Sequence, residues 1–464
     1  MKEYEVVVIG SGAGLIVLQN ALAHGFSTAL VDKGPAGGTC LNLGCIPSKM
    51  LIYPADRVTE VRDASRLGIA ADVREVDFAG IMKRMEEVVA RGEAHVREGI
   101  SHSGDLDFYE GEGHFVDAGT IEIQGERIRG KKVIIASGAR PSVPDIKGID
   151  KTDILTNESV LRLRKRPGSM IILGGGYIAA EYAHFFAAMG TDVTVVQRNE
   201  RLVPDEEPEI SEALRKELSE RMKVLTGTEA VAIEKSVRGR LVTVRDRKSG
   251  REAALSADAV FAATGRTSNA DLLKVGNAGI ETDGRNYIKV NERFETTQKN
   301  IWAFGDAIGK KMFRHAANRE ATIVFHNALH NAKETLDYQT VPHAVFSRPE
   351  IASVGLTENE ARRRYPVREL LVGRANYSDV ARGEAMRDEA GFCKAIVRKD
   401  SGKVLGFHII GPHASILIQE VVVAMANDLS IWQLNKGIHI HPSLTEVIIS
   451  TFGNLDAPEP AWSR

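Results

Sequence analysis

Tyr4-Glu5-Val6-Val7-Val8-Ile9-Gly10-Ser11-Gly12-Ala13-Gly14 decides the fold. Tyr4 to Ile9 is a short apolar run rich in β-branched residues that stops on glycine, which reads as a buried parallel strand. A helical stretch follows to about His24. A second strand, Thr28 to Asp32, then ends in an acid. Strand, glycine turn, helix and strand make the dinucleotide-binding arrangement of an α/β protein. Gly10, Gly12 and Gly14 let backbone N–H groups approach a pyrophosphate at the helix N-terminus, and Asp32 is placed to accept from a ribose hydroxyl. Leu15 stands where the fingerprint has its third glycine. That glycine serves helix–strand packing rather than phosphate contact, so a weakened site is expected.

The unit recurs. Met170 to Leu173 reads as a strand, Gly174-Gly175-Gly176-Tyr177-Ile178-Ala179-Ala180-Glu181 opens a helix, and Asp192 to Gln197 is the next strand. Two units imply two nucleotides. At the second ribose position Gln197 and Arg198 replace the acid. Without a carboxylate nothing repels a 2′-phosphate, and an arginine pairs with one, which leans towards NADPH. The alternative is an exposed arginine at a strand end.

Between the units lies Gly38-Thr39-Cys40-Leu41-Asn42-Leu43-Gly44-Cys45-Ile46-Pro47-Ser48-Lys49, with two of the chain's 3 cysteines. On an ideal helix Cys40 and Cys45 would point about 140° apart. If they pair, they must distort the first turn of the helix that follows, because a disulfide brings its Cβ atoms within roughly 4.5 Å. A strained pair is easily reduced, and a helix N-terminus favours a thiolate, as a working redox pair requires. Two buried free cysteines remain the alternative. A zinc site needs four ligands and none lie nearby, so no metal is expected.

Phe78 to about Ser101 reads as a long amphipathic helix, and residues 106 to 135 as short strands ending in Val133-Ile134-Ile135-Ala136-Ser137-Gly138-Ala139-Arg140-Pro141. A related run, Ala259-Val260-Phe261-Ala262-Ala263-Thr264-Gly265-Arg266, comes later; both look like crossings between domains. In Ile301-Trp302-Ala303-Phe304-Gly305-Asp306, the aspartate at a strand end is placed to accept from a ligand hydroxyl. From Val341 strand-like runs alternate with helices, one of them from about Ala414 to Asn427. Near the end, His441 is followed by Glu446, a spacing that allows a carboxylate to orient an imidazole base. Cys393, in a strand-like run, reads as a buried apolar residue. The length suggests about three domains. A net charge of −2 gives no basic footprint for nucleic acid. No apolar run is long enough to span a membrane, and the start of the chain lacks a signal peptide's pattern, so a cytoplasmic protein is expected.

Assembled, these motifs resemble the class I pyridine nucleotide–disulfide oxidoreductases, the family of dihydrolipoyl dehydrogenase, glutathione reductase, mycothione reductase and mercuric reductase. The resemblance covers essentially the whole chain. It implies two Rossmann-like dinucleotide-binding domains and a C-terminal α+β interface domain in a homodimer. FAD would be held by residues 1–143 and 267–340, NADPH or NADH by 144–266, and the partner subunit by 341–464. It implies a Cys40–Cys45 redox disulfide, with Cys40 meeting substrate and Cys45 facing the flavin. Lys49 would sit near the flavin with Glu181 as its ion-pair partner, and Tyr177, beside Ile178, would cover the nicotinamide pocket. Asp32, Lys33, Gly38, Thr39, Ser137, Gly138 and Asp306 would contact FAD. Gly174, Gly176, Gly265 and Arg266 would follow the pyridine nucleotide. His441 and Glu446 would act on the cysteines of the other subunit. The expected substrate is a lipoyl or small-molecule disulfide. Base rate points to a dihydrolipoyl dehydrogenase. Leu15, Gln197, Arg198, the stretch Asn376 to Ala381 and His413-Ala414-Ser415 point instead to an NADPH-linked reductase similar to mycothione reductase. The tail Ala457 to Arg464 lacks cysteine, which argues against mercuric reductase.

Overall fold

Lys2–Ile9 (β1) and Thr28–Asp32 (β2) pair in parallel, with Val6 opposite Thr28 and Ile9 opposite Val31. Gly14–Ala23 (α1) packs across them. In the computed structural model, which describes residues 1–237 and 239–458, this unit grows into a seven-stranded sheet. Leu106–Glu110 (β3) adds beyond β2, and Glu126–Ile135 (β6) lies on the other side of β1. Thr120–Ile123 (β5) and Gly113–Asp117 (β4) extend it as a meander, which fixes the order β3-β2-β1-β6-β5-β4. Gly38–Asn42 (α2) and Cys45–Asp63 (α3) follow β2. Phe78–Ser101 (α4) is the long helix read in the sequence, capped by Asp77 accepting from Gly80 N at 2.8 Å.

The second unit repeats the first. Ser169–Leu173 (β7), Tyr177–Ala188 (α5) and Asp192–Val196 (β8) precede Pro208–Ser219 (α6). With Lys223–Leu225 (β9) and Ala259–Ala262 (β10) they give the parallel sheet β9-β8-β7-β10. The two glycine turns match closely. A Cβ on Gly10 would stand 2.3 Å from the Ala136 carbonyl oxygen, and one on Gly174 2.3 Å from that of Ala263. Their φ angles, 106° and 109°, lie where side chains are rarely accommodated. A short antiparallel ladder, Ala139–Pro141 against Arg266–Ser268, is where the chain crosses between the two units.

Ile301–Ala303 (β11) returns to pair with β6, and Arg314–His330 (α7) packs against α1. The remainder builds a six-stranded sheet. Its members are His343–Val345 (β12), Ile351–Gly355 (β13), Leu370–Asn376 (β14), Phe392–Arg398 (β15), Val404–Ile410 (β16) and Leu455–Asp456 (β17), ordered β12-β13-β16-β15-β14-β17. The helix expected over 414–427 is two: Ala414–Leu417 and Gln419–Ala426 (α8), joined by Ile418 in αR geometry. Glu446–Gly453 (α9) lies against β14 and β15. Cys393 is fully buried in β15, where burial pushes its thiol pKa up. The cysteine-free tail read in the sequence lies, from residue 459 on, outside the described residues.

The expected weakness at Leu15 is corrected by the packing. A Cβ on Gly14 would fall 2.9 Å from Val8 Cγ1 and 3.1 Å from Ala136 Cβ, so Gly14 supplies the close helix–strand approach one residue early. Leu15 is half-buried against the same core.

Candidate active site

Both cysteines sit where a helix is broken. Cys40 lies within α2, Cys45 is the first residue of α3, and Gly44 between them leaves helical geometry at φ −137° and ψ −108°. The distortion anticipated in the first turn of one helix is therefore a break between two. Asn42 Nδ2 donates to the Ala36 and Gly38 carbonyls at 2.9 and 3.0 Å, which ties α2 to the chain before it. Both cysteines are free thiols in this structure. Cys40 donates to Cys45, which lowers Cys45 to about 7, with the Lys49 ammonium adding to the effect. The same bond and burial push Cys40 up. Cys45 is exposed to a cleft rather than to open solvent.

That cleft measures about 1410 Å³ and runs between the glycine turn, the cysteines and the start of the C-terminal six-stranded sheet. Of the residues expected from the sequence, Gly10, Gly12, Asp32, Lys33, Gly38, Thr39, Cys40, Cys45 and Lys49 line it. Ser137, Gly138, Tyr177, Ile178, Glu181, Arg266 and Asp306 complete the set. Asp32 accepts from the Ser11 and Gly34 amides, the latter at 2.8 Å, so backbone groups fix its carboxylate at the cleft wall. Lys49 Nζ reaches both oxygens of Glu181 at 2.9 Å and stands 4.5 Å from the Phe346 ring centroid. Glu181, nearly buried, also accepts from the Phe346 amide at 3.1 Å. Burial pushes Tyr177 up to about 12. Burial also raises Asp306, against the pull of Arg266, whose Nε lies 3.3 Å from its carboxylate.

The FAD expected from the sequence fits these donors. The glycine turn presents backbone amides, Gly38 packs so closely on Gly12 that a Cβ would be 2.7 Å from its Cα, and the buried Ser137 hydroxyl has no partner among the described residues. Asp32 and Asp306 offer acceptors for hydroxyls.

Gly14, Gly174, Gly176, Gln197, Arg198, Gly265, His441 and Glu446 lie outside the cleft lining. Gln197 is buried and donates to the Arg201 carbonyl at 3.1 Å. Arg198 is exposed and makes no ion pair with Glu200 among the described residues. Arg247 Nη1 donates to the Arg198 carbonyl at 3.1 Å, bringing a second guanidinium to the same loop. His441 Nδ1 and Glu446 Oε1 are 2.8 Å apart, and the carboxylate also accepts from Ser443 N at 2.9 Å. The Ser443 amide and His441 hold Glu446 below the usual carboxylate range. The His441 side chain is 74% exposed, so the pair is assembled at the surface, outside the cleft that this chain's own cysteines line. Sequence reasoning missed Phe346 and Arg314, which line the cleft without belonging to a motif.

A family profile described as pyridine nucleotide-disulphide oxidoreductase matches residues 4–321, and that family's dimerisation domain matches residues 341–451. Mycothione reductase of Mycobacterium tuberculosis is 34% identical over 97% of this chain and 98% of its own length. Dihydrolipoyl dehydrogenase of Bacillus subtilis is 31% identical over 96% of each. Among solved structures, the HOCl-induced flavoprotein disulfide reductase RclA from Escherichia coli aligns with a TM-score of 0.86 at 29% identity, covering 97% of this chain and 99% of that one.

Proposed function

The chain belongs to the class I pyridine nucleotide–disulfide oxidoreductases, FAD-dependent enzymes that use NAD(P)H, and within that family we propose that it draws electrons from NADPH to reduce a small disulfide. On this reading residues 1–143 and 267–340 hold FAD, 144–266 hold the pyridine nucleotide, and 341–464 meet the partner subunit. The observation that carries the choice of NADPH is the end of β8. No carboxylate stands there to bind ribose hydroxyls, Gln197 is committed to the Arg201 carbonyl, and Arg198 is free to pair with a 2′-phosphate.

FAD supplies the hydride-accepting chemistry that links the nicotinamide to the cysteines. Cys40 attacks the substrate disulfide, forms a mixed disulfide with one half and displaces the other as a thiolate. His441 of the partner subunit, oriented by its carboxylate, takes the proton that Cys40 gives up on attack and passes it to that thiolate. Cys45, lowered to about 7, is then the thiolate that attacks Cys40. The Cys40–Cys45 disulfide forms, and the second half of the substrate leaves. Each turnover thus yields two thiols for one electron pair.

Initial rates with NADPH and NADH, measured against a panel of small disulfides and with dihydrolipoamide in reverse, test the reading. Hydrogen bonds to charged groups are worth about 1.5–3 kcal/mol, and exposure of the loop discounts this, so NADPH should be preferred about ten- to a hundredfold in kcat/KM. Arg198→Ala should weaken NADPH and leave NADH nearly unchanged. Gln197→Glu is a less clean test, because it would set a carboxylate against the Arg201 carbonyl. The second reading is a dihydrolipoyl dehydrogenase, favoured by the similar identity of that relative. It gains if NADH is preferred and Arg198→Ala changes neither cofactor.

A further inference from the structure

One cation lining the cleft stands without a carboxylate partner among the described residues. Lys49 pairs with Glu181 at 2.9 Å, Arg140 with Asp271 at 2.7 Å, Arg266 with Asp306 at 3.3 Å and Lys33 with Glu112 at 3.4 Å. Arg314, in the first turn of α7, lines the same cleft half-buried and has no hydrogen bond or ion pair among the described residues. Its Nη1 lies 3.9 Å from where a Cβ on Gly12 would stand, over the glycine turn. A half-buried guanidinium with no anion has lost hydration that nothing in the protein replaces.

We propose that Arg314 binds the diphosphate of FAD, its guanidinium standing beside the Gly12 turn. The two parts are complementary. The turn offers N–H groups and a helix N-terminus, which favour an anion without carrying a full charge. The guanidinium adds the full charge and a planar pair of donors suited to phosphate oxygens. No other cation lining the cleft lacks a carboxylate partner among the described residues. Cys40 also feels the Arg314 charge, which favours its thiolate, but a protonated Cys40 gives that charge no counter-ion. The inference rests on the family's FAD dependence and is independent of the choice of NADPH or substrate.

The rate of FAD release from the purified holoenzyme, followed by the fluorescence of freed flavin over a salt series, tests it. Arg314→Gln should release FAD about ten- to a hundredfold faster at low salt. Wild-type release should accelerate with salt, and Arg314→Gln release should do so much less. Arg314→Lys keeps the charge and should stay within about threefold of wild type. Release from Arg314→Gln at the wild-type rate, or from Arg314→Lys as fast as from Arg314→Gln, overturns the proposal. If Arg314→Gln does not accumulate as a flavoprotein, Arg314→Lys decides alone. Salt-accelerated release near the wild-type rate supports the assignment, and salt-independent release overturns it.

Discussion

Cys40 and Cys45 have the same side chain, and their neighbours give them opposite chemistry. Cys45 opens α3, accepts from Cys40 and lies in the field of Lys49, whereas Cys40 is the donor and is further disfavoured as a thiolate by burial. In the reduced enzyme the single negative charge therefore resides on Cys45. This predicts a long-wavelength thiolate-to-flavin absorption band on two-electron reduction. Cys45→Ser should abolish it, and Cys40→Ser should show it without reductant. The sign of the pH dependence follows from a lowered thiol pKa. The thiolate persists above about 7 and is lost as pH falls through it, so the band should fade on acidification with a midpoint near 7. Lys49→Met should move that midpoint upwards. A Cys40→Ser enzyme with no band at neutral pH would reverse the two roles. The cysteines, the acid and the histidine were legible in the sequence because each stands in a spaced motif. Arg314 was not, since one arginine at a helix start carries no pattern until the fold sets it over Gly12.

At the level of elements, the two glycine turns were legible because each demands glycine at a backbone position that no side chain can share. Gly10 and Gly174 meet the carbonyls of Ala136 and Ala263 at the same 2.3 Å. What the motif could not convey was tolerance in its last position. Helix α1 can approach β1 through Gly14 as well as through the residue after it, because either lies near the face that touches Val8. Gly14→Ala should therefore overpack that contact, at a cost of about 1–3 kcal/mol. Leu15→Gly, by contrast, should destabilise through lost burial and added chain entropy. Thermal unfolding of both holoenzymes distinguishes these outcomes, and a neutral Gly14→Ala would show that the helix can shift. The break at Gly44 was legible only as a constraint. Spacing said that one helix could not join the cysteines, but not that the chain would use two. The apolar stripe over 414–427 likewise fixed the buried face without revealing the step at Ile418.

Across the whole molecule, the second nucleotide unit is tied to the interface sheet by a buried charge cluster. Lys394 on β15 is 1% exposed and reaches Glu207, Glu209 and Glu358 at 3.0, 2.8 and 2.7 Å. Removing its charge leaves the buried Glu207 without an ion-pair partner among the described residues, while Glu358 keeps Arg362 and Glu209 keeps Arg374, so Lys394→Met should lower stability by about 3 kcal/mol, measured by denaturant unfolding of the holoenzyme. No motif announces this cluster, because its members meet only in the fold. The interface sheet also carries a surface that one chain leaves open. Ile438 is 101%, Ile440 77% and Trp432 58% exposed, close in sequence to His441, within the part of the chain matched by the family's dimerisation domain. Apolar side chains clustered in this way mark a surface for a partner. His441 and Glu446 are already hydrogen-bonded to each other while standing outside the cleft that holds the cysteines. On the proposed reading, a complete site requires the cysteines of one subunit and the histidine of the other. Cys40→Ser and His441→Ala homodimers should each be nearly inactive. Co-expressed with different affinity tags and purified as heterodimers, they should regain activity, because one of the two sites then keeps both wild-type groups. The expected recovery is about half of wild-type kcat per dimer, with an unchanged KM for the disulfide. Heterodimers verified by both tags that show no recovery would place His441 in its own subunit's site or outside catalysis altogether.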